Sequence, residues 1–233
     1  MVCSTYYGGL LISRPIFKKI ISLLYPSFCA QCRALIPLDH VLCDRCYALV
    51  PRVPDIQVAL NATLRCTVRA LSRYSGVVAH LVCAKERRDI GAAQQLGRLA
   101  ATYCIEKSLT YDLIIPVPLH WSRYLMRGYN QAAVMAQYIA LPTGGRCVQP
   151  CVRTRATKHQ KLLEGRARKA NVVGAFGRSW YWSFDRMATA IQGKKVLLVD
   201  DVYTTGHTLN EFARVIARFK PSRLETLVAC RVV

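Results

Sequence analysis

An apolar strand that runs directly into two carboxylates and a threonine–glycine turn most constrains how this sequence can fold. Lys194–Val199 is predicted to be a buried strand, Asp200 and Asp201 follow at once, and Thr204-Thr-Gly-His-Thr208 leads into a helix. Open α/β sheets bind ligands at the carboxyl ends of their strands. Gly206 lets the backbone approach a ligand, and the N–H groups and threonine hydroxyls there would cradle a phosphate. Because the carboxylates would repel that phosphate, they suit sugar hydroxyls or a magnesium shell held through water.

Strand and helix signals alternate along much of the remaining chain. The predicted strands are Thr67–Tyr74, Leu113–Val117 and Arg223–Val233, and the predicted helices are Val77–Glu106 with an interruption near Lys85–Asp89, Asn130–Leu141 and Thr208–Arg218. This alternation is typical of a parallel sheet with helices on both faces, so the sequence predicts an α/β fold. The predicted division is a leader at residues 1–26, a cysteine-containing module at 27–50, a linker at 51–61 and the main domain at 62–233.

The N-terminal leader combines apolar residues with a basic break. Ile16, Ile20, Leu23 and Leu24 recur at helical spacing, which predicts a short amphipathic helix. The basic pair Lys18-Lys19 lies inside the apolar stretch rather than before it, unlike the order in a signal peptide. No stretch reaches 18 uninterrupted apolar residues, so no membrane span is predicted. The helix would either pack on the domain or contact a membrane surface.

Four of the 11 cysteines form two Cys-x-x-Cys pairs near the start of the chain. Cys29 with Cys32 and Cys43 with Cys46 could complete a tetrahedral sulfur shell, which predicts a structural zinc ion with no open coordination position. A redox pair or unrelated thiols would explain two matched pairs less well. The other cysteines, such as Cys83, Cys104 and Cys230, are predicted to be buried thiols in a reducing cytoplasm. The flanking Arg33, Arg45 and Arg52 would either touch nucleic acid or be solvated surface.

The charge of the chain is strongly positive, with 33 Lys and Arg against 13 Asp and Glu and a net charge of +20. This excess favours a polyanionic partner over a purely solubilising role. A continuous phosphate backbone requires many point charges. The candidates for binding nucleic acid are Arg123, Arg127, Arg153, Arg155, Lys158, Lys161, Arg166, Arg168 and Lys169. Tyr129 and Trp180-Tyr-Trp182 would stack on unpaired bases or pack on the core, and the basic run from Arg146 to Arg178 would otherwise be a solvated flap.

The segment Val196–Leu209 resembles the phosphoribosyl diphosphate-binding motif of type I phosphoribosyltransferases. The resemblance implies that Asp200 and Asp201, the catalytic pair, contact the ribose hydroxyls. It also implies that the loop residues hold the 5′-phosphate. The implied ligand residues, together with the acidic pair and Lys85, are Thr204, Thr205, Gly206, His207 and Thr208. Magnesium would accompany the diphosphate. The implied fold is the parallel-sheet type I phosphoribosyltransferase-like fold with the small zinc module before it.

Further segments are similar to the ComF competence family. They are Asp112–His120 with its Pro-Val-Pro, Arg127-Gly-Tyr-Asn-Gln131, and the spacing of Gln160, Arg168 and Asn171. Tyr129 stands where Phe is more usual, and Glu86-Arg-Arg-Asp replaces the aromatic-plus-glycine turn after Lys85. The resemblance covers residues 27–233. It implies a cytoplasmic protein of natural transformation or DNA utilisation that binds single-stranded DNA and a phosphoribosyl-containing ligand, and that cooperates with a DNA-uptake helicase or a recombination mediator. The alternative is a magnesium-dependent phosphoribosyltransferase of nucleotide metabolism.

Overall fold

The computed structural model of the protein describes residues 24–60, 64–155 and 174–233, apart from the side chains of Lys85 and Arg87. The chain divides into two units between Val50 and Pro51. The smaller unit contains strands β1 (Ser27–Phe28) and β2 (Leu35–Ile36), which pair antiparallel, and helix α1 (Asp44–Ala48). Most of the predicted leader helix lies outside the described residues.

The larger unit alternates strands and helices, as the sequence predicts. Its elements are β3 (Ile56–Ala59), β4 (Arg65–Arg73), α2 (Gly76–Cys83), a 3-10 turn (Ala84–Arg87), α3 (Ile90–Glu106), β5 (Leu113–Pro116), α4 (Trp121–Arg127), α5 (Gln131–Thr143), β6 (Arg146–Cys147), β7 (Cys151–Arg153), β8 (Phe176–Arg178), α6 (Phe184–Ile191), β9 (Lys195–Tyr203), α7 (His207–Ala217) and β10 (Arg223–Arg231). The helix predicted over Val77–Glu106 is two helices joined by the 3-10 turn at the predicted interruption.

Six strands form one sheet in the order β3-β4-β10-β9-β5-β6. All its pairings are parallel except the one between the edge strand β3 and β4. The prediction of an α/β fold built on a parallel sheet is therefore confirmed. The prediction that residues 51–61 form only a linker is wrong, because Ile56–Ala59 pairs with Arg65–Arg73. This pairing lies on the sheet edge, and four residues carry too short a pattern to indicate a strand.

The core lies on both faces of the sheet. Val196 and Leu198 of β9 pack in one cluster with α6 and α7, through residues such as Met187 and Phe212. The alternate positions of β9 are equally buried and face the other side, where α5 contacts β5 and β9. Helices α3 and α5 approach closely on this second face. A Cβ atom at Gly97 of α3 would lie 2.7 Å from Cδ2 of Tyr138 in α5, so only glycine fits there.

The sheet reverses its winding direction between β5 and β9. From β5 the chain passes through α4 and α5 to β6 on one side, whereas from β9 it passes through α7 to β10 on the other side. The two connections therefore leave neighbouring strands in opposite directions and open a crevice at the carboxyl ends of these strands. Such a switch point is where open α/β sheets bind their ligands.

Candidate functional site

A cleft of about 380 Å³ occupies the crevice between the carboxyl ends of β5 and β9. Its walls come from the segment after β5, the start of α5, the end of β7 and the segment after β9. The polar residues that line it are Glu86, Arg123, Arg127, Asn130, Gln131, Arg153, Asp200, Asp201, Tyr203, Thr204, His207 and Thr208. The cleft thus places positively charged side chains opposite a pair of carboxylates.

Asp200 and Asp201 lie within β9 rather than beyond its end. The strand was predicted to stop at Val199, but it continues to Tyr203 because β10 pairs with it through Val228 and beyond. On the other side β5 ends with Pro116 opposite Val199. The two carboxylates therefore stand where one neighbouring strand stops, and both line the cleft. The N–H of Asp201 donates to Oδ1 of Asp200 at 2.9 Å, which fixes the orientation of that carboxylate.

The loop after β9 is shaped by Gly206. This residue has φ of +72°, in the left-handed region, and it precedes α7 as its N-cap. Glycine has no side chain to cap the helix, and the first residues of α7 line the cleft, where the N–H groups of a helix start are potential donors to an anion. Tyr203 lies against the loop, since a Cβ atom at Gly206 would come within 2.3 Å of its hydroxyl oxygen. Tyr203 was not predicted as a site residue, although it directly precedes the motif.

Three arginines line the cleft with the carboxylates. Arg123 and Arg127 come from α4, and Arg153 comes from β7. The pKa of Arg153 is lowered to about 10, chiefly by burial and then by the positive charge of Arg123, with Asp200 opposing the shift. Burial likewise lowers the pKa of Arg123, with repulsion from Arg127 adding to it and Asp201 opposing it. An anionic ligand would relieve this repulsion between partly desolvated cations.

The position of Arg153 depends on a contact that spans a long stretch of sequence. Strands β7 and β8 pair antiparallel, with Arg153 opposite Phe176. The guanidinium carbon of Arg153 lies 5.6 Å from the centroid of the Phe176 ring. His120 also forms an isolated bridge to Arg153, which ties β7 to the segment after β5. These contacts hold a buried arginine, 8% exposed, at the cleft.

Other sequence-predicted residues fall in three places. Arg155 is exposed at the end of the described segment after β7. Tyr129 is buried and its hydroxyl donates to the backbone oxygen of Asp89 at 2.8 Å, so of its two predicted alternatives the structure shows packing on the core and not stacking on bases. The remaining candidates lie outside the described residues or have side chains outside them: Lys85, Lys158, Gln160, Lys161, Arg166, Arg168, Lys169 and Asn171.

The aromatic cluster at residues 180–182 is partly packed on the core and partly exposed. Trp182 packs against the core and lies under the guanidinium of Arg186, 4.8 Å from the ring centroid. Trp180 is 78% exposed, and its ring lies 3.6 Å from that of Tyr181, centroid to centroid. Packing on the core therefore describes Trp182 alone, whereas Trp180 and Tyr181 lie on the surface.

The smaller unit brings its four paired cysteines together. The sulfur atoms of Cys29, Cys32, Cys43 and Cys46 all lie within 4.8 Å of one another. Cys32 Sγ and Cys43 Sγ are 3.7 Å apart, close to the separation of about 3.8 Å that tetrahedral zinc with Zn–S bonds of about 2.3 Å requires. The backbone N–H of Cys43 donates to Cys29 Sγ at 3.4 Å. The cluster can therefore bind a metal ion such as zinc.

The protonation of these thiols also suits a cation. Burial raises the pKa of Cys29, but hydrogen bonds from the backbone of Cys32, Cys43 and Gln31 outweigh it and lower the value to about 6. The pKa of Cys46 is raised to about 12 by burial and by the neighbouring thiols. Four sulfurs this close cannot all ionise unless a cation compensates their charge.

Among the described residues, the remaining cysteines form no disulfide bond. Cys104 and Cys230 are buried as predicted, but Cys83 is exposed and the prediction that it is buried is wrong. Its Sγ lies 3.0 Å from the hydroxyl oxygen of Tyr74 at the end of β4.

Among the described helices, none is both long enough and apolar enough to cross a membrane.

The fold and the cleft define a phosphoribosyltransferase-like protein. The Phosphoribosyl transferase domain family matches residues 126–232, which run from the end of α4 to the last strand and include Asp200, Asp201 and the loop. Among solved structures, the chain is similar to the allosteric regulatory enzyme of purine biosynthesis, with a TM-score of 0.40 and 15% identity over 59% of this chain and 26% of that one. The assignment rests on the family match and not on this weak similarity.

Three proteins of similar sequence identify the family of this chain within the phosphoribosyltransferase-like class. The chain is 34% identical to the DNA utilization protein YhgH of Salmonella typhi over 216 residues, which cover 88% of this chain and 84% of the relative. It is 34% identical to Competence protein F of Haemophilus influenzae over 46% of this chain and 44% of that one. Competence protein ComFC of Bacillus subtilis is 28% identical over 45% of this chain and 38% of the relative. The protein belongs to the ComF family.

Proposed function

We propose that this protein handles incoming DNA in competence or DNA utilisation, and that it binds both single-stranded DNA and a phosphoribosyl-containing ligand. The observation that carries the proposal is the single cleft in which Arg123, Arg127 and Arg153 lie with Asp200 and Asp201. The names of the relatives support the biological role. A helicase or a recombination mediator would receive or deliver the strand.

The phosphoribosyl part of the proposal is supported by the division of charge in the cleft. The N–H groups at the start of α7 and the hydroxyls of Thr204 and Thr208 would bind the 5′-phosphate. Asp200 and Asp201 would accept hydrogen bonds from the ribose hydroxyls, and the arginines would bind the diphosphate. The residues present fit magnesium bound through water, because two carboxylates at the cleft are the hard oxygen ligands it prefers. When bound, magnesium would neutralise charge on the diphosphate.

The DNA part of the proposal is supported by the surplus of positive charge. One diphosphate needs two or three cations, whereas the net charge of the chain is +20. Arg155 is exposed, and the basic run at residues 158–169 follows it shortly in the sequence. A sequence-independent phosphate interaction of this kind would weaken steeply with added salt.

The smaller unit would hold a structural zinc ion in this proposal. Two Cys-x-x-Cys pairs supply four thiolates, which leaves no coordination position open for catalysis. The described cysteines are thiols rather than disulfides, which also supports a reducing compartment such as the cytoplasm.

A second candidate is a magnesium-dependent phosphoribosyltransferase, and the intact carboxylate pair favours it. In that reaction the bond between the sugar carbon and the diphosphate oxygen would break while a nitrogenous acceptor attacks that carbon. Asp200 and Asp201 would hold the ribose as positive charge develops on it, and Arg123 and Arg153 would stabilise the departing diphosphate. The two candidates share the donor cleft and differ in whether an acceptor base is used.

Calorimetric titration with phosphoribosyl diphosphate and magnesium tests the cleft. Replacing both carboxylates, Asp200→Asn and Asp201→Asn, should weaken magnesium-dependent binding at least tenfold because both ribose contacts lose their charge. Asp185→Asn is the matched control, since Asp185 lies exposed in the first turn of α6, outside the cleft lining. Unchanged affinity in the double variant would refute the assignment of these carboxylates.

A fluorescent oligonucleotide titrated across a salt series tests the DNA part. We expect tight binding with a steep salt dependence, and a smaller slope for Arg127→Gln. Arg65→Gln removes an equal charge at the exposed amino end of β4, far along the strand from the cleft, and should leave the binding unchanged. Absence of DNA binding at low salt, with the small ligand still bound, would favour the transferase.

A further inference from the structure

Helix α4 presents its charged residues to the protein and its apolar residues to solvent. Arg123 and Arg127 are half-buried and line the cleft. Trp121, Tyr124 and Leu125 are 65%, 51% and 68% exposed. At 3.6 residues per turn, Trp121 and Leu125 share one face with Tyr124 beside them, and the two arginines share the opposite face. These three exposed residues form the outer face of α4.

This orientation is fixed by contacts at both ends of the helix. Nδ1 of the buried His120 accepts from the N–H of Ser122 at 3.3 Å, which caps the first turn. At the other end Gly128 donates to Tyr124 O at 2.7 Å. Arg88 Nε also donates to the backbone oxygen of Met126 at 2.6 Å. The bond from Arg88 joins the helix to the segment before α3, so the helix cannot roll its apolar residues inward without breaking that bond.

An outward apolar face on a seven-residue helix stabilises nothing within the fold. No residue of α4 is buried, so the helix contributes little to the core. Clustered exposed apolar side chains, unlike isolated ones, mark surfaces that contact a partner. Tryptophan and tyrosine offer flat π-faces on which an unpaired base of any sequence stacks. The cations that accompany them on the same helix suit the phosphates of the same strand.

We propose that the outer face of α4 is a stacking surface for the bases of single-stranded nucleic acid, whose neighbouring phosphates bind Arg123 and Arg127 at the cleft. The proposal rests on the proposed DNA-handling function and adds the place where the bases bind. The net charge of +20 complements a polyanion. A single strand can lay its backbone along the arginine side of the helix and turn its bases over the aromatic side, because the helix is only about 10 Å wide.

Affinity and salt dependence separate stacking from phosphate binding. We expect Trp121→Ala to weaken binding of a single-stranded oligonucleotide about tenfold, and Tyr124→Ala to act in the same direction. The slope of log affinity against log salt should not change, because no phosphate contact is lost. Trp121→Phe should retain most of the affinity. An abasic oligonucleotide of equal length should bind the wild-type protein and Trp121→Ala equally.

Leu141→Ala is the control, since it removes an apolar side chain that is 90% exposed near the end of α5, whereas the cleft is lined by the start of that helix. If the wild-type protein binds DNA with a steep salt slope but Trp121→Ala binds it equally well, the stacking surface is refuted and the proposed function stands. If Trp121→Ala instead abolishes self-association measured by sedimentation and leaves the DNA affinity unchanged, the outer face is a protein interface and the proposal is wrong. Failure of the wild-type protein to bind any oligonucleotide would refute the proposed function itself.

Discussion

Gly206→Ala tests whether the loop after β9 must keep its observed shape to bind a phosphate. The residue has φ of +72°, and a Cβ atom there would lie 2.3 Å from the hydroxyl oxygen and 2.4 Å from Cζ of Tyr203. Contacts this short cannot exist, so either the loop or the tyrosine ring must move. The ring packs partly against the core, which limits its movement.

The expected cost follows from two terms. A left-handed backbone costs a non-glycine residue about 1–2 kcal/mol. Pushing the Tyr203 ring off its rotamer adds about 0.5–1.5 kcal/mol. The loop of the free variant should relax to avoid this strain, so the unfolding free energy changes by less than the full cost. Binding would then have to restore the observed conformation, and a total of about 2 kcal/mol would weaken phosphoribosyl diphosphate binding about 30-fold.

Calorimetry with phosphoribosyl diphosphate and magnesium measures this loss, and thermal unfolding measures the accompanying change in stability. Gly193→Ala is the matched control, because Gly193 has φ of +69° but nothing within 4 Å of its Cβ position. It should carry the backbone strain alone and leave binding unchanged, since it lies before β9 at the other end of the strand. Tyr203→Ala combined with Gly206→Ala should recover part of the affinity. Wild-type affinity in Gly206→Ala would refute the idea that this loop binds the phosphate.

Three further predictions concern stability. A strong chelator should release about one zinc ion per chain and lower the melting temperature of the protein. Cys43→Ser should lower the melting temperature in the same way. A metal analysis of the purified protein that finds no zinc would contradict the zinc assignment. Burial raises the pKa of Glu225, but hydrogen bonds from Tyr111, Arg69 and Arg223 outweigh it and lower the value. Because the pKa of Glu225 is lower in the folded than in the unfolded protein, its charge stabilises the fold at neutral pH, and this contribution is lost as the pH falls through the folded pKa. Glu225→Gln should therefore lower the free energy of unfolding by about 3 kcal/mol at pH 7, measured by chemical denaturation. The same variant should make that free energy less sensitive to acid. Gly97→Ala should lower the free energy of unfolding by about 1–3 kcal/mol, because the added methyl group pushes α3 away from Tyr138 of α5. A variant as stable as the wild-type protein would show that the two helices can separate without cost.

Local patterns predicted the elements whose signals are contained in one segment. The strand leading to Asp200, the helix after it and the strand at Leu113 each combine a continuous apolar run or helical period with a clear end. The two cysteine pairs were recognisable for the same reason, since each pair lies within four residues. The predicted strand Lys194–Val199 placed the start of β9 within one residue of Lys195, but the observed end at Tyr203 depends on pairing with β10.

Contacts between distant segments account for what the sequence did not reveal. Arg153 was predicted only as a DNA ligand, and its place in the cleft beside Asp200 and Asp201 depends on β8, which begins more than twenty residues later. Tyr129 lies beside Arg127 in the sequence, yet burial against Asp89 removes it from the surface. The outer face of α4 could have been recognised, since Arg123 and Arg127 alternate with Trp121 and Leu125 at helical spacing. That signal becomes meaningful only once the arginines are known to face inward.

The shared arginines also predict how the two ligands interact. Phosphoribosyl diphosphate would neutralise Arg123, Arg127 and Arg153, whereas only DNA would use the outer face of α4. Saturating the cleft with the diphosphate should therefore weaken DNA binding and reduce the salt slope by about 1.4, the value for losing the two single-strand phosphate contacts at Arg123 and Arg127. The loss caused by Trp121→Ala should persist under saturation, because stacking does not involve the cleft. An unchanged salt slope with the diphosphate bound would mean that DNA phosphates never enter the cleft, and the basic segment after Arg155 would then carry the DNA alone.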